Sequence, residues 1–224
     1  YNPKESKRVL LAAHWDSRHI ADSPLSTERQ NEPILGADDG ASGVGVLLEI
    51  ARNLQKHPIG MGVDIVLFDA EDYGNDDSSK HDMFSWCLGS QHWSKNIHTE
   101  HKPQYGILLD MVGSKGARFA KDQISVQYAK PILDKVWDLA KSMKKDNYFV
   151  NSPTTIGIDD HYIVNTVARI PMIDLINEPA NAQSGFGHYW HTHDDDMDII
   201  DPAALQASGQ VVLAVIYREN NGTF

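Results

Sequence analysis

Acids and histidines in this 224-residue chain gather at a few places, and those places are where apolar runs stop. His14 and Asp16 follow Arg8 to Ala13 (RVLLAA). Asp69, Glu71 and Asp72 close the run that starts at Gly62, Asp110 lies near the end of Tyr105 to Val112, and Asp39 stands just ahead of the helix-like segment Ala41 to Gln55. Near the end of the chain, Trp190-His191-Thr192 adds a second imidazole. Carboxylates brought to one edge repel each other and rise in pKa unless a cation neutralises them. A divalent metal is the simplest resolution. With imidazoles at His14 and His191 and Cys87 the only cysteine, mixed nitrogen and carboxylate ligation points to zinc over calcium or magnesium. Taken singly, these acids have a plainer reading, since Asp39 and Asp159 both fit helix N-caps. The joint pattern favours the metal.

Asp69-Ala70-Glu71-Asp72 carries the most mechanism, because neighbouring residues beyond a strand point in different directions. One ligand and one base is the natural division. Gly157-Ile158-Asp159-Asp160-His161 offers a second acid pair, and Phe186, Tyr189 and Trp190 beside His191 suit the walls of an apolar pocket. The run Asp194, Asp195, Asp196, Asp198, Asp201 reads as a solvated turn and helix start, with one member available to orient His191. His57, His81, His98 and His101 show no ligand spacing. Gly36 to Gly40 lacks a phosphate-loop lysine and the dinucleotide glycine pattern, and Ser85 and Ser90 lack a nucleophile-elbow context. Phosphate-cradle and serine-hydrolase chemistry are therefore not supported.

The elements that must position these residues alternate. Apolar runs at 8–13, 62–70, 105–112 and 170–176 predict strands, and periodic segments at 41–55, 129–145 and from Asp201-Pro202 to Arg218 predict helices. This order predicts a single α/β domain over residues 1–224, a three-layer α/β/α sandwich with a mostly parallel central sheet. Ligands in such sheets bind beyond the carboxyl ends of the strands, where the acids fall. The polar stretch from Asp16 to Gly36 predicts a long loop at the pocket rim. Twenty Lys and Arg against 31 Asp and Glu give a net charge of −11, the wrong sign for a nucleic-acid or anionic-membrane binder. No apolar run approaches the roughly 20 residues of a membrane helix. The chain opens at Tyr1 and enters a strand almost at once, which suggests that upstream residues have been trimmed.

With these residues assembled, the sequence resembles the M28-type zinc aminopeptidase family, and within it the glutaminyl-peptide cyclotransferases, especially bacterial members that share the animal-type fold. The motifs are A-H-W-D at 13–16, G-A-D-D-G-A-S-G-V at 36–44, F-D-A-E-D at 68–72, L-L-D-M-V-G at 108–113, D-D-H at 159–161 and W-H-T at 190–192. The resemblance implies a zinc-exopeptidase fold, one Zn2+ held by Asp39, Asp72 and His191, and Glu71 as general acid and base. It assigns Asp110 and Asp159 to the substrate amine and amide, and Trp190 with Phe186 to the pocket wall. His14 and Asp110 match ligands of a second zinc in dizinc aminopeptidases, which release N-terminal amino acids and are the alternative. The D-D-H segment and the Trp directly before the metal histidine resemble the cyclases, whose reaction is an acyl transfer that closes N-terminal Gln to pyroglutamate with loss of ammonia. Departures are Asp72 where Glu is more common, Asp174 where animal cyclases carry His, and Asp76-Asp77 where they carry a pocket Trp, with Trp86 as a substitute. The expected partner is a peptide or protein with an N-terminal Gln, and the resemblance implies a secreted or periplasmic bacterial enzyme.

Overall fold

The computed structural model describes residues 1–75, 83–97, 101–179 and 185–224. Asp76, Asp77, His81 and His98 lie outside them. In chain order the first half contains β1 (Arg8–His14), α1 (Ala41–Lys56), β2 (Gly62–Phe68), α2 (Leu88–Asn96) and β3 (Gly106–Asp110). The second half contains β4 (Phe119–Asp122), α3 (Gln123–Ser142), β5 (Phe149–Thr154), α4 (Asp160–Ile163), β6 (Met172–Ile176) and α5 (Pro202–Asn220).

Four parallel strands form the central sheet in the order β2-β1-β3-β6. All seven residues of β1 are buried, as expected of a strand covered on both faces. Their alternation divides the core. Val9, Leu11 and Ala13 pack with Leu47 and Ile50 of α1 and Val211 and Val215 of α5. Leu10 and Ala12 face the other way, onto Val164, Ala168 and Trp93. The three-layer sandwich follows, and its four parallel strands end together on one edge. Among the described residues no helix is long and apolar enough to cross a membrane.

The elements depart from expectation in several places, and β3 and β6 are shorter than the apolar runs at 105–112 and 170–176. β2 stops at Phe68, which frees Asp69–Asp72 as a loop. α3 begins at Gln123 because Asp122 caps it, accepting a hydrogen bond from Ser125 N. The expected start at Ala129 instead coincides with a kink before Pro131, a residue that interrupts helical bonding. α2 and the two-stranded parallel sheet β4-β5 were not expected, since LGSQHWSKN and FAKD show little apolar periodicity.

Candidate active site

His14 ends β1 with its ring 2% exposed, and its Nε2 lies 3.0 Å from Asp39 Oδ1 and 3.2 Å from Asp110 Oδ1. Asp110 is the last residue of β3. Asp39 reaches the edge from the loop before α1, where Gly40 permits close packing. A Cβ on Gly40 would sit 2.4 Å from His14 Nε2. On the other side of Asp39, His191 Nε2 lies 3.7 Å from Asp39 Oδ2 and 3.1 Å from Asp72 Oδ1. Asp39 is thus flanked by two imidazoles, and His14, Asp39 and Asp72 each offer a ligand atom within 4.8 Å of the others. Asp39 Oδ2 and Asp72 Oδ2 are buried and have no hydrogen-bond partner. Lone pairs buried in this way are costly unless a cation accepts them, so the donor set fits a metal ion. Its nitrogen and carboxylate composition suits zinc.

The electrostatics agree. Burial, and then the charge of Asp72, push Asp39 well above the ordinary carboxylate range. Burial likewise raises Asp110 to about 6. Burial disfavours a charged His191, yet the carboxylates of Asp22 and Asp72 beside its two nitrogens outweigh it and raise the ring to about 9. Each shift marks a group that a divalent cation would stabilise in its metal-binding form.

The loop after β1 holds this arrangement together. Asp16 accepts the backbone N–H groups of Glu71 and Asp72, each at 3.1 Å. Arg18, 1% exposed, donates to the carbonyls of Asp72 at 2.6 Å and Gly74 at 2.7 Å, grips Asp22 with two nitrogens, and lies 4.7 Å from the Trp86 ring. Asp22 Oδ1 in turn lies 3.2 Å from His191 Nδ1. The residue that orients His191 is therefore Asp22, not a member of the acid run at 194–201. From that run, fully buried Asp195 accepts from the backbone N–H of Asp38 and Asp39, while Asp196 and Asp201 cap helices. Asp39 makes no cap bond to α1, whose N-cap is Gly40. Asp159 does cap α4. Asp69 is exposed, and its side chain accepts from the N–H of Ala70.

Glu71 points into a cavity of about 380 Å³. Its walls include Asp110 and Asp159 on the polar side and Trp86, Ile156, Phe186 and Trp190 on the apolar side. Trp190 stacks on His191 with ring centroids 3.7 Å apart, and Phe186 lies 5.0 Å from Trp190. Cys87 Sγ donates to Glu71 Oε1 at 3.3 Å. Burial first, then the charge of Asp72, hold Glu71 well above the ordinary carboxylate range, which suits a group that both takes and returns a proton. Ala70, Cys87, Met111 and His191 all have φ between 49° and 55°. Non-glycine residues held there signal backbone strain kept at a functional site.

The peptidase family M28 pattern matches residues 1–216. The chain belongs to peptidase family M28. Among solved structures, a glutaminyl cyclase from Tannerella forsythia is 49% identical, with 97% of this chain and 75% of that chain covered and a TM-score of 0.92. A Zn-dependent exopeptidase from Parabacteroides distasonis is 47% identical with the same coverage and TM-score. The glutaminyl-peptide cyclotransferase of Drosophila melanogaster is 24% identical over 90% of this chain. The chain spans 58% of that protein and 42% of a related Bacillus subtilis aminopeptidase, about half the length of the curated relatives it matches. Asp39, Glu71, Asp72, Asp110, Asp159, Phe186 and Trp190 line one cavity, with His14 against Asp39 and His191 against Asp72. Arg18, Asp22 and Cys87 went unrecognised as site residues, because they lie in segments without periodicity; the four-residue spacing of Arg18 and Asp22 was the one available signal.

Proposed function

We propose that this domain closes the N-terminal glutaminyl residue of peptides to pyroglutamate, releasing ammonia. The observation that carries the reading is the cavity. At about 380 Å³, with the base Glu71 buried in its wall and aromatic rings around it, it suits one residue folded on itself. The glutaminyl cyclases among the relatives support it.

Asp39, Asp72 and His191 are assigned to one zinc, which when bound supplies a Lewis acid that polarises the carboxamide oxygen of the substrate. Asp110 and Asp159 hold the α-amine against the polar wall. Glu71 takes a proton from the α-ammonium group, and the freed nitrogen attacks the carboxamide carbon. As the carbon–nitrogen bond of the amide breaks, Glu71 returns its proton to the departing ammonia, and the second proton of the ring nitrogen is lost in the same step, so that pyroglutamate and an ammonium ion leave. Trp190 and Phe186 exclude water, which is not a reactant.

A second reading is a dizinc aminopeptidase with His14 and Asp110 completing another metal site, favoured by Asp39 standing between the two imidazoles. Mass spectrometry of a Gln-headed and a Leu-headed peptide incubated with the zinc-loaded protein separates the two. Loss of ammonia from the Gln peptide alone, with about one zinc per chain, is expected. Release of free Leu with about two zinc ions would move the assignment to the aminopeptidase.

A further inference from the structure

Behind the polar wall of the cavity lies a set of buried groups that the reaction above does not use. Asp122 ends β4, His161 lies on α4 and Asp174 lies on β6, so three separate elements bring them together. All three are fully buried. His161 Nε2 lies 3.1 Å from Asp122 Oδ1, and His161 Nδ1 faces Asp174 Oδ2 over 3.8 Å. Asp159, His161 and Asp174 each present an atom within 4.8 Å of the others. His161 Nδ1, Asp159 Oδ2 and both oxygens of Asp174 have no hydrogen-bond partner.

Acceptors packed together without donors need a proton or a cation between them. Among the described residues, no lysine or arginine pairs with Asp122, Asp159 or Asp174; the imidazole of His161 is the one base that does. Burial, followed by the charges of Asp159 and Asp110, pushes Asp174 well above the ordinary carboxylate range. Asp174 and Asp159 lie close enough that one proton held between them would satisfy both carboxyls. Asp122 is itself fixed as the cap of α3, so its hold on Nε2 sets the ring plane and aims Nδ1 at Asp174. The Asp159 carboxyl accepts the N–H of the adjacent Asp160 from its own helix, through Oδ1 alone. What stands behind its carboxyl therefore decides where it points.

We propose that His161 is a positioning residue for Asp159: anchored on Asp122, it holds Asp174, and through Asp174 it sets the Asp159 carboxyl against the cavity. This rests on the reading of Asp159 as the grip on the substrate amine. The test is His161→Gln, with Asp122→Asn as a second variant, each made in the wild-type and in the Asp159→Asn background. Losing one hydrogen bond to a charged group predicts a fall of about tenfold in kcat/KM, carried by KM, in the wild-type background. In the Asp159→Asn background the further loss should vanish. An undiminished loss there, an unchanged kcat/KM in wild type, or a metal ion that departs with His161 would overturn the proposal. Histidine-ring NMR decides it without activity. The His161 nitrogen signals should move in Asp159→Asn, and unmoved signals overturn it even where the position 161 and 122 variants do not fold. A protein that leaves Gln peptides untouched would sink the proposed activity, while the ring signals would still settle the coupling.

Discussion

Replacing Arg18 with Met keeps much of the side chain's length and removes its guanidinium from a place where it is 1% exposed. Four hydrogen bonds go with it, two to the carbonyls of Asp72 and Gly74 and two to Asp22. Bonds of this charged kind contribute about 1.5–3 kcal/mol each, which bounds the loss from above. The Asp22 side chain is 22% exposed, so water recovers part of its share, whereas the two carbonyls stay buried beneath Met. The expected cost is that of breaking a buried pair, about 3–5 kcal/mol. For a chain of this length that lowers Tm by roughly 6–20 °C. Thermal unfolding followed by circular dichroism in excess chelator measures it, because removing metal from both proteins keeps ligand linkage out of the comparison. A shift of less than 2 °C would refute the reasoning and mean that water replaces the guanidinium at no cost.

Asp22→Asn should leave the fold intact and weaken zinc retention by about 10–100-fold, measured by chelator competition, because His191 loses its charged orienting partner. Zinc affinity should also depend on pH. With His191 raised to about 9, the metal-free ring is protonated at neutral pH and must release that proton on binding. Affinity should therefore rise at least tenfold per unit between pH 6 and 8, and a flat profile would contradict the assignment of His191 as a ligand. Gly40→Ala places a Cβ 2.4 Å from His14 Nε2 and should destabilise by about 1–3 kcal/mol in chemical denaturation. Glu71→Gln should abolish pyroglutamate formation while zinc content stays at the wild-type level. Near-native turnover in that variant would remove Glu71 as the base.

The acids at strand ends were legible because a buried parallel strand is a continuous apolar run, so its last residue shows in the sequence. His14, Glu71, Asp72 and Asp110 were all found that way, and the W-H-T segment added His191. Arg18 and Asp22 were not, since nothing in the local pattern of a long loop tells a buried arginine from a solvated one; tertiary contacts to Asp72 and Trp86 decide it. The role of Asp195 was hidden for a related reason. In a run of five acids, the one whose neighbours are backbone N–H groups looks like the rest until the Asp38-Asp39 loop is folded against it. Ala129 shows the converse failure: the expected helix starts at the kink, and the part of α3 from Gln123, ahead of Pro131, goes unread.

Asp16, Arg18 and Asp22 lie within seven residues, and between them they fix the backbone of Glu71 and Asp72 and the ring of His191. The second-strand ligand is consequently not free to change alone. Lengthening Asp72 to Glu moves the carboxylate by one carbon–carbon bond, about 1.5 Å, and the peptide beneath it must retreat by a comparable step. Asp16 and Arg18 hold Asp72 by its backbone N–H and its carbonyl, one peptide on each side. Ligand and loop therefore form a single structural unit, and a graft that exchanges one without the other should yield a folded protein whose base and metal no longer share a register.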